Sequence, residues 1–186
     1  VELDDFQIMN RVVSVGEFAQ FILDAGYQNP AFWPADVFAG LTQNGTHLPA
    51  YWREESGQLQ IRRFDQWHDL ESDLPMTHVT QHEAAAWCNW AGLSLPSEAQ
   101  WLLAARHTGF RWGQVWEWTN SVFGPLPGFS PDPYKEYSQP WFHTHRVLKG
   151  ASLATPDGMR DTRFRNYYEP WRADIFNGFR AVRPSR

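Results

Sequence analysis

Apolar residues recur at helical spacing in three places, and each run is preceded by a hydroxyl residue with Glu or Gln three positions further on. That pairing is the capping-box signature, in which the hydroxyl oxygen accepts an orphan backbone N–H and the longer side chain reaches back. Ser14 with Glu17 precedes Phe18, Phe21 and Ile22; Thr80 with Glu83 precedes Trp87, Trp90 and Ala91; Ser97 with Gln100 precedes Trp101, Leu102 and Ala105. The spacing predicts three amphipathic helices, the first closed by Gly26 and the second by Gly92. Strand signals are shorter: 51–53 and 59–64 flank Glu55, Ser56 and Gly57 as a hairpin would, and 146–148 and 179–182 read as short strands. Between 123 and 142, five prolines and two glycines leave no room for a regular element. So long an irregular stretch in a compact domain usually serves function.

The length of 186 residues suits one domain, 1–186, with one substantial core. No apolar run approaches the roughly 18 residues of a membrane span, so a membrane protein is not expected. The net charge of −5 argues against nucleic acid as a partner, and the arginines gathered between Arg160 and Arg186 are interrupted by acidic residues. Aromatic residues make up 16% of the chain, which points to a loop-rich fold pinned by large rings. Cys88 is the single cysteine, so a disulfide framework is excluded and a reducing, cytoplasmic setting is expected. The chain opens at Val1 with neither an initiator Met nor a signal-peptide pattern, as if it began inside a longer polypeptide.

Catalytic chemistry is sparse. His78 and His82 are four apart, but the capping box puts one before the helix and the other in its first turn, on different faces. His143 and His145 would point the same way from an extended segment, yet have no third ligand nearby. Cys88 has no basic neighbour to lower its pKa and reads as a buried thiol. Asp4 with Asp5 reads as a solvated pair. The run Arg163-Phe-Arg-Asn-Tyr-Tyr-Glu-Pro-Trp-Arg172 concentrates guanidinium forks and rings. It is either a stack that holds loops together or a surface for a carboxylate and a quaternary ammonium.

Pro75-Met-Thr-His-Val-Thr, Glu83-Ala-Ala-Ala-Trp-Cys-Asn-Trp-Ala-Gly, Leu95-Pro-Ser-Glu-Ala-Gln-Trp, Gly113-Gln-Val-Trp-Glu-Trp-Thr and Gly178-Phe-Arg-Ala-Val-Arg run in order along nearly the whole chain. Together they resemble the signature of the formylglycine-generating-enzyme, or sulfatase-modifying-factor, family. The resemblance implies an α+β, C-type-lectin-like fold with little regular structure. Gln114 replaces the more common Asn of the fourth motif, and the path from the Ser97 helix to Gly113 is short. The copper-dependent reaction of the formylglycine-generating enzyme needs a cysteine pair in the C-terminal third, which is lacking here.

Within the family, Pro127-Gly-Phe, Tyr134-Lys-Glu-Tyr-Ser-Gln-Pro-Trp-Phe, Arg146-Val-Leu-Lys-Gly-Ala-Ser and the stretch from Arg165-Asn-Tyr-Tyr to Asp174-Ile-Phe-Asn-Gly-Phe-Arg resemble the ergothioneine sulfoxide synthase and selenoneine synthase branch. Such enzymes use Fe(II) and O2 to join sulfur or selenium to hercynine, the trimethylated betaine of histidine. Their iron is bound by histidines of an N-terminal helical domain, so this chain would be the C-terminal half, with that domain as its partner and metal ligands lying elsewhere. The resemblance places Tyr134 at the active-site tyrosine that supplies a proton or hydrogen. It puts Tyr137, Asn166 and Tyr167 on the substrate pocket, and Arg172 on a carboxylate of the chalcogen donor. Tyr168 stands where relatives carry an acidic residue for the donor's ammonium, which leaves open whether the donor is a thiol or a selenosugar. A noncatalytic lectin-like binding domain and an interaction module capping a helical partner remain as other readings.

Overall fold

The computed structural model describes residues 2–131 and 133–184; Val1, Asp132 and Arg186, which the sequence reading touched, lie outside them. The three capping boxes open the three expected helices. They are α1 (Val15–Leu23), α3 (Gln81–Trp90) and α4 (Glu98–Ala104), and in each the hydroxyl and the N3 side chain cap one another reciprocally. The ends follow the expected chemistry in one case and depart from it in another. After α3, Gly92 adopts φ +68°, Leu93 N–H returns to Cys88 O at 2.8 Å, and the helix closes in a Schellman motif. After α1 the left-handed residue is Ala25 (φ 58°), not Gly26. Gly26 is required for a different reason: a Cβ there would lie 2.1 Å from the Phe21 ring.

A further helix, α2 (Ala35–Asn44), starts after Pro34 without a side-chain cap and ends on Gly45 in the left-handed region. The hairpin pairs β2 (Trp52–Glu55) with β3 (Gln58–Arg63). Its two-residue turn, Ser56–Gly57, has φ of 54° and 80°, as type I′ geometry requires. β4 (Gln66–Asp69) extends it to a three-stranded meander.

The larger sheet has the order β7 (Asn166–Tyr168), β6 (Arg146–Gly150), β5 (Trp116–Val122), β8 (Asn177–Phe179), with β5 and β8 parallel. The expected strand at 179–182 is in fact split. Phe179 ends β8, Arg180 and Ala181 break the extended run, and Val182 begins β9 (Val182–Pro184), which pairs antiparallel with β1 (Phe6–Ile8) in a separate sheet. The break lets Arg180 turn inward beneath β5. Mixed pairing, helices and irregular connections give the expected α+β fold.

Alternation along β5 separates two environments. Trp118 pairs with Leu148 and Phe179 on the face covered by α1 and α3, where Phe18 and Trp87 pack on Phe179 at 6.2 and 5.4 Å. Glu117 points to the opposite face, under α4. There its carboxylate receives Trp101 Nε1 at 2.8 Å and Arg180 at 2.5 and 2.8 Å, with Glu117 and Arg180 both fully buried. Arg180 also donates to Met9 O and Arg111 O and lies 3.7 Å from the Phe110 ring centre. No helix among the described residues is long and apolar enough to cross a membrane.

Candidate functional site

β7 is the edge strand of the larger sheet, and its alternation divides the residues that the sequence reading grouped as one pocket. Tyr167 pairs with Val147, while Asn166 and Tyr168 pair with Leu148 and Arg146 and share their face with the α1–α3 core. On the Tyr167 side, the segment after β5 lines an open cavity of about 350 Å³. Its wall is largely the Phe123–Phe129 loop with Phe142; Tyr137, Ser138, Arg165 and Tyr167 complete it. This volume lies at the lower end of small-molecule clefts, about 300–1,000 Å³.

Each wall is fixed by a specific contact. The Tyr167 ring stacks on Phe123 at 3.9 Å and 10°, and its hydroxyl donates to the backbone carbonyl of Tyr137. Burial raises the Tyr167 phenol above its ordinary pKa, reinforced by Tyr137 and Tyr168, so it stays a neutral donor. Phe142 packs against Phe123 at 5.2 Å and Phe129 at 5.3 Å. Arg165 lies over the Phe123 ring at 5.0 Å, donates Nη1 to Gly124 O at 2.9 Å and pairs through Nε with Glu98 of α4 at 2.8 Å. The 123–142 segment is irregular as expected, apart from single 3-10 turns at Lys135–Tyr137 and Gln139–Trp141.

Tyr134 is 67% exposed at the start of the first of these turns and does not line the cavity. Arg172 lies on the other side of β7. Its fork is bidentate with Asp174 at 2.6 and 2.9 Å and it sits 5.1 Å from the Tyr168 ring centre. Trp171 packs against His82 with ring centres 4.3 Å apart and planes tilted by 48°. Burial lowers the pKa of His82, and its Nε2 is buried without a hydrogen-bond partner. The structure therefore brings Tyr137 and Tyr167 together, and sets Asn166, Tyr168 and Arg172 apart from them. The ring-and-guanidinium stacking foreseen for 163–172 is present in both places.

Sequence reasoning missed the Glu98–Lys149–Arg165 cluster. Lys149 is buried, 3.6 Å from Glu98, and donates to Phe164 O at 2.8 Å; burial lowers its pKa against the opposing pull of Glu98. Glu98 stands in the Leu95-Pro-Ser-Glu motif and Arg165 in the Arg-Asn-Tyr-Tyr motif, so their opposite charges were a usable signal, but nothing local linked positions 67 apart.

The histidines hold no shared site. His78 binds Ala173 O through Nδ1, away from His82, as their placement around the capping box requires. His143 is not on an extended segment as expected: it has φ 67° within a turn, and His145 instead contacts Trp141 and Thr144. Among the described residues no three His, Cys, Asp or Glu side chains converge as a metal ion requires. Cys88 is buried in α3, and burial pushes its thiol far above the ordinary range.

The sequence profile of the family described as the sulfatase-modifying factor enzyme 1-like domain matches residues 1–114 and 111–185. Among curated proteins, the hercynine oxygenase of Mycobacterium tuberculosis is 32% identical over 98% of this chain and 53% of its own length. The hercynine oxygenase of Mycolicibacterium smegmatis is 30% identical over 98% of this chain and 54% of its own. The mouse inactive C-alpha-formylglycine-generating enzyme 2 is 39% identical over 88% of this chain and 67% of its own length. The chain spans about half the length of the hercynine oxygenases it matches. With motifs and profile agreeing from end to end, the chain belongs to the sulfatase-modifying factor enzyme 1-like domain family.

Proposed function

We propose that this chain is the substrate-binding, C-terminal half of a non-haem Fe(II)- and O2-dependent synthase that joins sulfur or selenium to hercynine. The observation that carries the reading is a conjunction. The chain aligns with hercynine oxygenases over nearly all its length, and Tyr137 and Tyr167 meet on the wall of a ligand-sized cavity. The described residues do not fit an iron site, so the metal ligands belong in this reading to an N-terminal helical domain of the same polypeptide. A reducing cytoplasmic setting goes with it.

The chain's own residues contribute positioning and proton supply. Tyr167, held neutral by burial and aimed at Tyr137 O, keeps the 134–142 segment against the sheet. Tyr134, exposed at the lip of that segment, offers a phenol to chemistry occurring on a partner surface. Tyr168 and Arg172 form a second polar group suited to the chalcogen donor, with Asn166 on the same face of β7 as Tyr168. The neutral Tyr168, placed under the Arg172 guanidinium, admits a thiol or a selenosugar without demanding an ammonium.

The test is turnover by the full-length protein with Fe(II), O2 and hercynine, offered cysteine, γ-glutamylcysteine or a selenosugar in turn, with products identified by mass spectrometry. The reading expects consumption of hercynine with one donor and a slower rate or altered product ratio in Tyr134→Phe. Iron-loaded protein that consumes hercynine with none of the donors would leave a noncatalytic binding domain as the better account.

A further inference from the structure

The facing of β7 decides which side chains reach the cavity, and the strand's own sequence does little to fix it. It is three residues long, lies at the edge of its sheet and reads Asn166-Tyr167-Tyr168, all half-buried. Register is strongly specified where apolar and polar residues alternate, and a slip of one position sends every side chain to the opposite face. With two adjacent tyrosines, such a slip only puts one phenol where the other had been. In the observed register Leu148 pairs with Asn166, so a continued ladder would set Lys149 of β6 opposite Arg165. The ladder stops there, and the Lys149 side chain takes over. Its Nζ donates to Phe164 O at 2.8 Å and to Arg163 O at 3.4 Å, gripping two successive carbonyls just ahead of the strand. Arg165 is drawn to Glu98 at 2.8 Å, and the Glu98 backbone N–H donates to Ser121 Oγ of β5 at 2.9 Å, so this anchor is itself fixed to the sheet. Beyond the strand, the Gln81 N–H of α3 donates to Pro170 O at 2.9 Å. The Lys149 side chain is 1% exposed and its carboxylate partner stands 3.6 Å away. A buried ammonium so loosely paired adds little stability over an apolar side chain of similar volume. It does offer three N–H donors on a long stem, which is what holding two neighbouring carbonyls requires.

We infer that Lys149 is a positioning residue that sets the register of β7, and so decides that Tyr167 and not Tyr168 stacks on Phe123 and meets the Tyr137 carbonyl. Glu98 acts with it by drawing Arg165 to α4. The inference goes beyond the proposed function, because it concerns how the strand is placed whatever ligand the chain takes.

The experiment reads the register by disulfide trapping in the full-length protein. Arg146→Cys with Tyr168→Cys puts two thiols at directly opposed positions, and the native Cys88 is buried away from them. A slip of one residue turns the thiol at 168 to the other face, beyond the reach of an S–S bond. Under mild oxidant, with the bond located by peptide mass mapping, this pair should cross-link readily while Lys149 is in place. Adding Lys149→Met should cut the yield several-fold, and adding Lys149→Arg, which keeps a cation with N–H donors, should restore most of it. Thermal unfolding of Lys149→Met alone should stay near wild type, because Glu98 and Arg165 remain as a neutral pair. Glu98→Gln, at a side chain 19% exposed, should lower the yield partially. Full yield in a folded Lys149→Met protein overturns the inference, and so does a Lys149→Arg protein whose yield falls as far as that of Lys149→Met. If Lys149→Met does not fold, Glu98→Gln decides: an unchanged yield there overturns the inference and a lowered one upholds it.

Discussion

Glu117 and Arg180 meet entirely inside the protein, Nε to Oε2 at 2.5 Å and Nη2 to Oε1 at 2.8 Å, and so join the Gly-Gln-Val-Trp-Glu-Trp-Thr motif to the closing Gly-Phe-Arg. Removing one partner strands the other as a buried, unpaired charge, a loss of about 3–5 kcal/mol. Arg180→Met should therefore unfold at much lower denaturant than wild type. The double variant Glu117→Leu with Arg180→Met should lose far less than the sum of the singles. Additive losses in a denaturant-based double-mutant cycle would show that the two side chains are not coupled.

Gly178 offers a steric test of the parallel pairing of β5 and β8. A Cβ there would meet Met76 O at 2.4 Å and Val115 Cγ2 at 2.8 Å, both held by the core. Gly178→Ala should destabilise by about 1–3 kcal/mol through overpacking, and Gly158→Ala, where nothing lies within 4 Å, should be nearly silent. Thermal unfolding of the two variants side by side decides the point.

Much of this architecture was readable from short-range chemistry. Ser14, Thr80 and Ser97 announce their helices because capping is local, and Ser56–Gly57 announces its turn for the same reason. α2 escaped because Pro34 provides no side-chain cap and Val37 is its only buried residue, although the Pro before it and Gly45 after it were a faint signal. The 179–182 reading failed because a strand was inferred from apolar residues around Arg180, and only the distant Glu117 explains why a guanidinium belongs inside. The candidate site was legible as a list of residues and not as a place. Which face Tyr167 takes relative to Asn166 and Tyr168 depends on the register with β6, and that pairing is long-range information.

His82 provides a pH dependence. Burial holds its folded pKa below the ordinary 6.5, against a smaller opposing pull from Asp36. The unfolded chain therefore binds the proton first as pH falls, and stability must rise with pH across the window between the depressed value and 6.5. Below that window the penalty is complete. His145, also lowered by burial, adds in the same direction. His82→Phe keeps a ring against Trp171, removes the unpartnered Nε2 and should flatten the slope of stability against pH. Urea titrations across that range that give parallel profiles for wild type and variant would assign the dependence elsewhere.

Arg172 has a kinetic test of its own. If, as proposed, Arg172 faces the chalcogen donor, Arg172→Ala in the full-length protein should raise KM for that donor several-fold and KM for hercynine little. Equal movement of both constants would make Arg172 a structural residue that stacks on Tyr168.

The parallel pairing of β5 with β8 also governs the order in which the chain can acquire its structure. Trp116, Glu117 and Trp118 are flanked on one side by residues that follow them only some sixty positions later, and β1 at the start waits for β9 at the close. Contacts this distant in sequence form slowly and late. A ribosome that has released only the first hundred and fifty residues holds α1, α3 and α4 with their apolar faces open and the Glu117 carboxylate without its cation. The fold can therefore close only once β8 and β9 have been made, and losing Gly178 onward would undo pairing far from the lesion.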